Sequence, residues 1–238
     1  MSDTAAADPA PPRAWRLLPW VVTYAIAMAY LEAAVVVYLR ALYYPQGFAF
    51  PVSPMPPDMA AIEIGREAAT LVMLLGIAML AGTTRRERFL AFCISFGIWD
   101  IFYYVWLRLL LGWPPSLLTW DILFLIPVPW IGPVLAPVIV SIVLVTAGLI
   151  FLRSAQRGRP IAFPLPYQAL VLAGALLVLA SFTLDFRVAL SPMDPPPFRW
   201  GLFGVGVALA ICALGLTGRR SWSSPQRHRG TEGAQSKH

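Results

Sequence analysis

PPSLLTWDILFLIPVPWIGPVLAPVIVSIVLVTAGLIFLR, residues 114–153, is the stretch that decides how the chain is threaded. A helix crosses about 30 Å of hydrocarbon in about 20 residues, rising about 1.5 Å per residue. The stretch is too long for one crossing, yet two crossings leave almost nothing for a turn. Two would also put Arg153, Arg157, Arg159 and the basic C-terminal tail on the opposite side from Arg85, Arg86 and Arg88. Pro127, Pro129, Pro133 and Pro137 punctuate it, each removing a backbone donor and disfavouring helix in the residue before it. Residues 116–126 therefore read as a short non-crossing helix, lying at the outer interface or dipping into the bundle. Irregular backbone at that depth is tolerated only where protein covers it or it lines a wet cavity.

Working outward, six candidate crossings fall at residues 17–39, 59–81, 89–111, 131–152, 166–184 and 200–216. The composition agrees. Hydrophobic residues make up 58% of the 238, charged residues 13%, and the mean hydropathy is +0.69, whereas an average soluble domain has about 25% charged residues. The expectation is an all-α integral membrane protein: a six-helix domain over 15–218, a disordered N-terminal tail over 1–14, and a basic disordered tail over 219–238. The first apolar run is too long for a signal peptide and lacks a small-residue cleavage site, so it reads as an uncleaved anchor. Cys93 and Cys212 fall inside crossings and read as packing residues, not a disulfide framework.

With six crossings, Arg13, Arg16, Arg85, Arg86, Arg88, Arg153, Arg157, Arg159, Arg219, Arg220, Arg227, Arg229 and Lys237 share one side, 13 of the 18 basic residues. The positive-inside rule makes that side cytoplasmic, with both termini there and the inner membrane as location. The net charge of +6 is thereby explained without a nucleic-acid partner. The opposite loops hold clusters of proline, including Pro45, Pro51, Pro54, Pro56 and Pro57 in one and Pro192, Pro195, Pro196 and Pro197 in the other. Such stiff segments suit either a cap or tight connections.

The remaining charges carry the functional reading. Helical rise places Glu32 about 10 Å below the outer end of the first crossing, Glu63 and Glu67 at about 6 and 12 Å, and Asp100 near mid-membrane. Asp121, in the non-crossing segment, meets the same layer from above. In EIGRE, Glu63, Arg66 and Glu67 stand at i, i+3 and i+4 on one helical face. Glu32 with Arg40 and Asp100 with Arg108 share a spacing of eight residues, as in a weak internal repeat. The arginines of that pattern are expected to snorkel to the outer interface.

Ionisable groups in a bilayer cost about 2.5–3.5 kcal/mol each on insertion scales and commonly mark a ligand or proton path. Glu32, Arg40, Glu63, Arg66, Glu67, Asp100, Tyr103, Arg108 and Asp121 are the candidate ligand-binding residues, with no catalytic residue assigned. The bland alternative is inter-helix pairing, Arg66 with Glu32 or Asp100. Because five acids face three arginines, at least one carboxylate is expected to be protonated or to hold a cation. Trp99, Tyr103, Tyr104, Trp106, Trp113, Trp120, Phe124 and Trp130 suit an interfacial belt or a ligand-lining wall. Gly204/Ala208 and Gly206/Ala210 have the spacing of close helix packing.

The only histidines, His228 and His238, lie in the tail, so haem and a His-ligated metal are not expected, and no Gly-rich phosphate loop precedes a helix, so neither is a nucleotide; any metal would be held by carboxylates. Two functional classes follow. The first is an outward-facing pocket that binds or transports a small polar solute, cation or lipid headgroup, with Arg40, Arg66 and Arg108 holding an anionic group. The second is an intramembrane acid–base enzyme on an isoprenoid or lipid, with Asp100 as the acid. A passive subunit of a larger complex is the third reading. Membrane lipids are the expected partners.

Overall fold

The computed structural model describes residues 13–48, 50, 52, 55–158, 161–190 and 195–223. The expected tail disorder at 1–12 and 224–238, together with His228, His238, Pro51, Pro54, Arg159 and Pro192, lies outside them. The chain is mostly helical (75%). Its helices are α1 (Arg13–Tyr43), α2 (Pro57–Ala81), α3 (Arg85–Leu111), α4 (Leu135–Gln156), α5 (Leu165–Thr183) and α6 (Trp200–Ser223). Among the described residues these are six helices long and apolar enough to cross a membrane. α1 already starts at Arg13, inside the stretch expected to be tail.

The termini of these helices follow from local chemistry. α2 opens on Pro57, whose fixed φ suits the first helical position, with Asp58 complementing the helix dipole. Thr84 caps α3 by accepting from the Glu87 N–H at 3.1 Å, while the Glu87 carboxylate reaches back to the Thr83 N–H at 2.9 Å. At the other end of α3, Gly112 takes φ +67° and its N–H closes on the Arg108 carbonyl. A residue with a Cβ would pay for that left-handed turn.

Residues 116–126 do not form the expected helix. They lead into an antiparallel hairpin, β1 (Trp120–Phe124) and β2 (Trp130–Pro133), which pairs Asp121 with Gly132 and Ile122 with Ile131. The reason lies in the prolines: Pro127 and Pro129 supply no N–H and fix φ, so a helix entering them would end unsatisfied. Folding back pairs the strand donors instead. Five extended residues cover only about 17 Å, too short to cross about 30 Å of hydrocarbon. The hairpin also delays α4, which begins at Leu135 and not at Ile131.

α3 is the central element, packed against α1, α2 and α4, while α5 and α6 pair with each other and meet the rest through the hairpin and α4. The α5–α6 contact is a backbone approach. A Cβ on Gly174 would stand 2.5 Å from the Gly206 carbonyl oxygen, and one on Gly206 would stand 2.7 Å from that of Gly174. Of the two small-residue pairs in the last helix, the one containing Gly206 packs on α5, and Gly204 faces open space.

α2 positions the site. Its buried residues, Glu63, Glu67, Thr70, Leu74, Ala78 and Ala81, form one stripe that is polar near the hairpin and apolar at the other end. That other end is closed by Val21, Ala78, Ala81 and Ala91, and by Ala14, Leu90, Ile94, Phe151 and Leu152. Polar side chains are thus gathered where the hairpin lies.

Candidate functional site

At the hairpin end, α1, α2, α3, β1 and the segments that follow α1 and β1 enclose a cavity of about 460 Å³. Glu32, Arg40, Glu63, Arg66, Glu67, Asp100, Tyr103 and Asp121 all line it. Arg108 does not: it turns to the end of its own helix, donating to the Gly112 carbonyl and, at 2.9 Å, to that of Pro114. The free carbonyls of a helix terminus attract a guanidinium, which explains the departure.

Each carboxylate has a different partner. Glu63 receives two bonds from Arg66, Nε to Oε2 at 2.9 Å and Nη2 to Oε1 at 2.5 Å. The same guanidinium makes an ion pair with Glu32 through Nη1, a close contact without good hydrogen-bond alignment. The Thr70 hydroxyl donates to the other Glu32 oxygen at 3.0 Å. Glu67 accepts the Leu125 backbone N–H at 2.9 Å, which ties the hairpin to α2. Asp100 accepts from the Ser141 hydroxyl of α4 at 2.7 Å. Arg66 therefore pairs with Glu32 and Glu63, and Asp100 is bonded by the serine.

Arg40 also departs from expectation. It does not snorkel; it is 8% exposed, with its guanidinium 3.7 Å from the ring centre of Trp113 and 4.5 Å from that of Phe48. Stacking on two aromatic faces offsets the loss of water. Its Nη2 reaches Asp121 Oδ1 only at 3.4 Å. Arg40 and Arg108 consequently occupy unlike surroundings, and the suggested repeat has no structural counterpart there. Beyond α5, Asp185 is bonded by Arg199 through both carboxylate oxygens, at 2.8 and 2.9 Å.

Asp121 is 3% exposed, and its Oδ2 has no hydrogen-bond partner among the described residues. Burial pushes its carboxyl up to about 7. The Arg40 guanidinium, the Ile122 amide and the Tyr104 hydroxyl pull the other way, none of them bonding Oδ2. Trp99, which lines the same cavity, buries an indole N–H that likewise lacks a partner. Among the described residues no three acidic, Cys or His side chains converge as a metal site. The carboxylates are spread around the wall.

The walls are otherwise apolar or aromatic, with Val36, Leu39, Phe48, Met55, Leu123 and Leu125 among them. Thr70 and Ser141, which hold Glu32 and Asp100, were not anticipated from sequence. Thr70 was findable, since it lies seven residues after Glu63 on the EIGRE face; Ser141, alone in an apolar helix, gave no sign of its partner. Comparisons with protein-family models, curated proteins and solved structures give no match for this chain.

Proposed function

We propose that this is a multi-pass inner-membrane protein, with both termini cytoplasmic, that binds a small amphiphilic molecule with a cationic head in the cavity at its outer end. One observation carries the reading: among the described residues, Glu32, Glu63, Glu67, Asp100 and Asp121 share a largely apolar cavity with only Arg40 and Arg66. Arg66 is taken up by two carboxylates and Arg40 by Asp121 and two rings. That leaves Glu67 and Asp100 without a cation of their own, an arrangement suited to a positive guest and ill suited to an anion. Aromatic faces such as Trp99 and Tyr103 attract the same charge, and the aliphatic wall suits a hydrocarbon portion. The volume falls in the ordinary range of ligand sites, about 300–1,000 Å³.

Binding is favoured over passage because the opposite end of the bundle is filled by apolar side chains. The basic residues at that end support the proposed orientation. The test compares octylammonium with octyl phosphate by thermal unfolding of the detergent-purified protein. A concentration-dependent rise with the ammonium alone, lost on Glu67→Gln plus Asp100→Asn, supports the reading. An equal response to the phosphate overturns it.

A further inference from the structure

The end of the bundle away from the cavity holds a second concentration of charge, of the opposite sign. Arg13, Arg16, Arg85, Arg153 and Arg157 lie there exposed. Among the described residues of that end the one acid is Glu87, whose carboxylate is taken by the Thr83 N–H and hydroxyl at 2.9 and 3.0 Å. Two further arginines are held by the backbone: Arg86 donates to the Ile161 carbonyl at 2.6 Å and Arg88 to that of Gly82 at 3.1 Å.

Four of the exposed arginines meet at one seam, between α1 and α4. Ala14 and Leu152 are buried in the same apolar cluster, which puts their chain neighbours Arg13 and Arg153 beside it. The Arg153 guanidinium lies 6.0 Å from the ring centre of Trp15, at the outer limit of a cation–π contact. Arg16 stands one turn after Arg13, and Arg157 one turn after Arg153, so each helix presents a pair. No described carboxylate forms an ion pair with any of the four. Like charges a turn apart repel one another, and an anion held at the seam removes that cost. The neighbouring surface is apolar: Trp20, one turn past Arg16, is 69% exposed, and Ile150, one turn before Arg153, is 54% exposed.

We propose that the α1–α4 seam at the basic end binds the phosphodiester head of an anionic phospholipid, with Arg16 and Arg153 as its principal contacts. Guanidinium groups match phosphate oxygens in pairs of hydrogen bonds, and basic pockets between membrane helices suit such heads. Trp20 and Ile150 lie alongside the acyl chains, which favours a lipid over a free anion. The site shares no residue with the cavity lining and does not depend on the cation reading above.

The experiment titrates the full-length protein in neutral detergent with dihexanoylphosphatidylglycerol, dihexanoylphosphatidylcholine and inorganic phosphate. An arginine beside an anionic lipid corresponds to about fivefold in affinity. The glycerol lipid is expected to bind about tenfold or more tightly than the choline lipid. Arg16→Gln and Arg153→Gln lie on separate helices, so either serves should the other fail to fold. Each should weaken the glycerol lipid about fivefold and leave the choline lipid within about twofold. Arg85→Gln, an exposed arginine of the same end on α3, is the control and should change binding by less than about twofold. Equal affinities for the two lipids overturn the proposal. An equal loss in Arg85→Gln overturns the seam in favour of attraction to the whole basic end. Inorganic phosphate binding as tightly as the glycerol lipid overturns the lipid assignment in favour of an aqueous anion. In Arg16→Gln plus Arg153→Gln, where the seam is removed, octyl phosphate reports on the cavity alone, so the two sites are read separately.

Discussion

Arg66 on α2 faces Glu32 on α1, and with its other edge it holds Glu63 one turn back on its own helix. One guanidinium thus joins two helices and neutralises part of two buried carboxylates. Replacing it leaves both acids without a cation, the costliest way to break a buried pair. Arg66→Met is expected to lower stability by about 3–5 kcal/mol, whereas Glu63→Gln, which preserves the inter-helix pair, should cost about 1–2 kcal/mol. Thermal unfolding of the two variants in one detergent checks the order. The reverse order would show that the bond within α2 matters more than the one between helices.

Glu67 tests the attachment of the hairpin. Its carboxylate accepts the Leu125 N–H, so Glu67→Ala leaves a backbone donor unpaired at a cost of about 1–3 kcal/mol. Glu67→Gln retains an acceptor oxygen and should cost less. Amide hydrogen exchange at Leu125 is the direct readout: marked acceleration in the alanine variant and little change in the glutamine variant. Unchanged protection in both would separate Glu67 from the hairpin.

Gly97 tests how closely α3 approaches α4 beside Asp100. A Cβ there would lie 2.7 Å from both the Ser141 carbonyl oxygen and Val145 Cγ2. Gly97→Ala should therefore destabilise by about 1–3 kcal/mol through forced separation of the helices. Gly76→Ala, facing open space on α2, should be neutral or stabilise by up to about 1 kcal/mol through helix propensity. Paired unfolding midpoints decide it.

Asp121 gives a pH dependence whose sign is fixed by the upward shift of its carboxyl to about 7. The folded state retains a proton that the unfolded chain releases near its usual value of 3.8. The stability from this group is therefore present below about 4, declines as pH rises toward 7, and changes no further above it. Ligand affinity runs the opposite way: a primary ammonium binds the carboxylate better than the acid, so binding should strengthen between pH 6 and 8. Arg40 on α1 and Asp100, Tyr103 and Tyr104 on α3 contribute to the field at this site. Titrations at several pH values, repeated with Asp121→Asn, isolate its part: in the variant both slopes should flatten.

The legible part of the fold was what polarity and length determine. Six long apolar runs and the one-sided clustering of basic residues imply six helices, and helical rise alone placed Glu32, Glu63, Glu67 and Asp100 near one level, where they share a cavity. The secondary structure of 116–126 was hidden, because a short apolar run has no periodicity that separates strand from helix. The directions of Arg40 and Arg108 were hidden for another reason. Both sit eight residues after an acid, but whether an arginine turns inward depends on what the tertiary fold offers it, Trp113 and Phe48 for one and the carbonyls of Gly112 and Pro114 for the other. Ser141 was silent because a hydroxyl in an apolar helix ordinarily bonds its own backbone.

Among the described residues, no cavity-lining residue comes from α4, α5 or α6; those that line it are encoded between Glu32 and Pro129. Descendants of this gene are thus free to drift across most of the final hundred or so codons without touching what the hollow recognises, provided Ser141 still donates to Asp100, β2 still pairs with β1, and Gly174 and Gly206 stay small enough for their helices to meet. Lineages that trade one guest for another should record the change in the first half of the reading frame, and selection there should look quite unlike selection on the remainder.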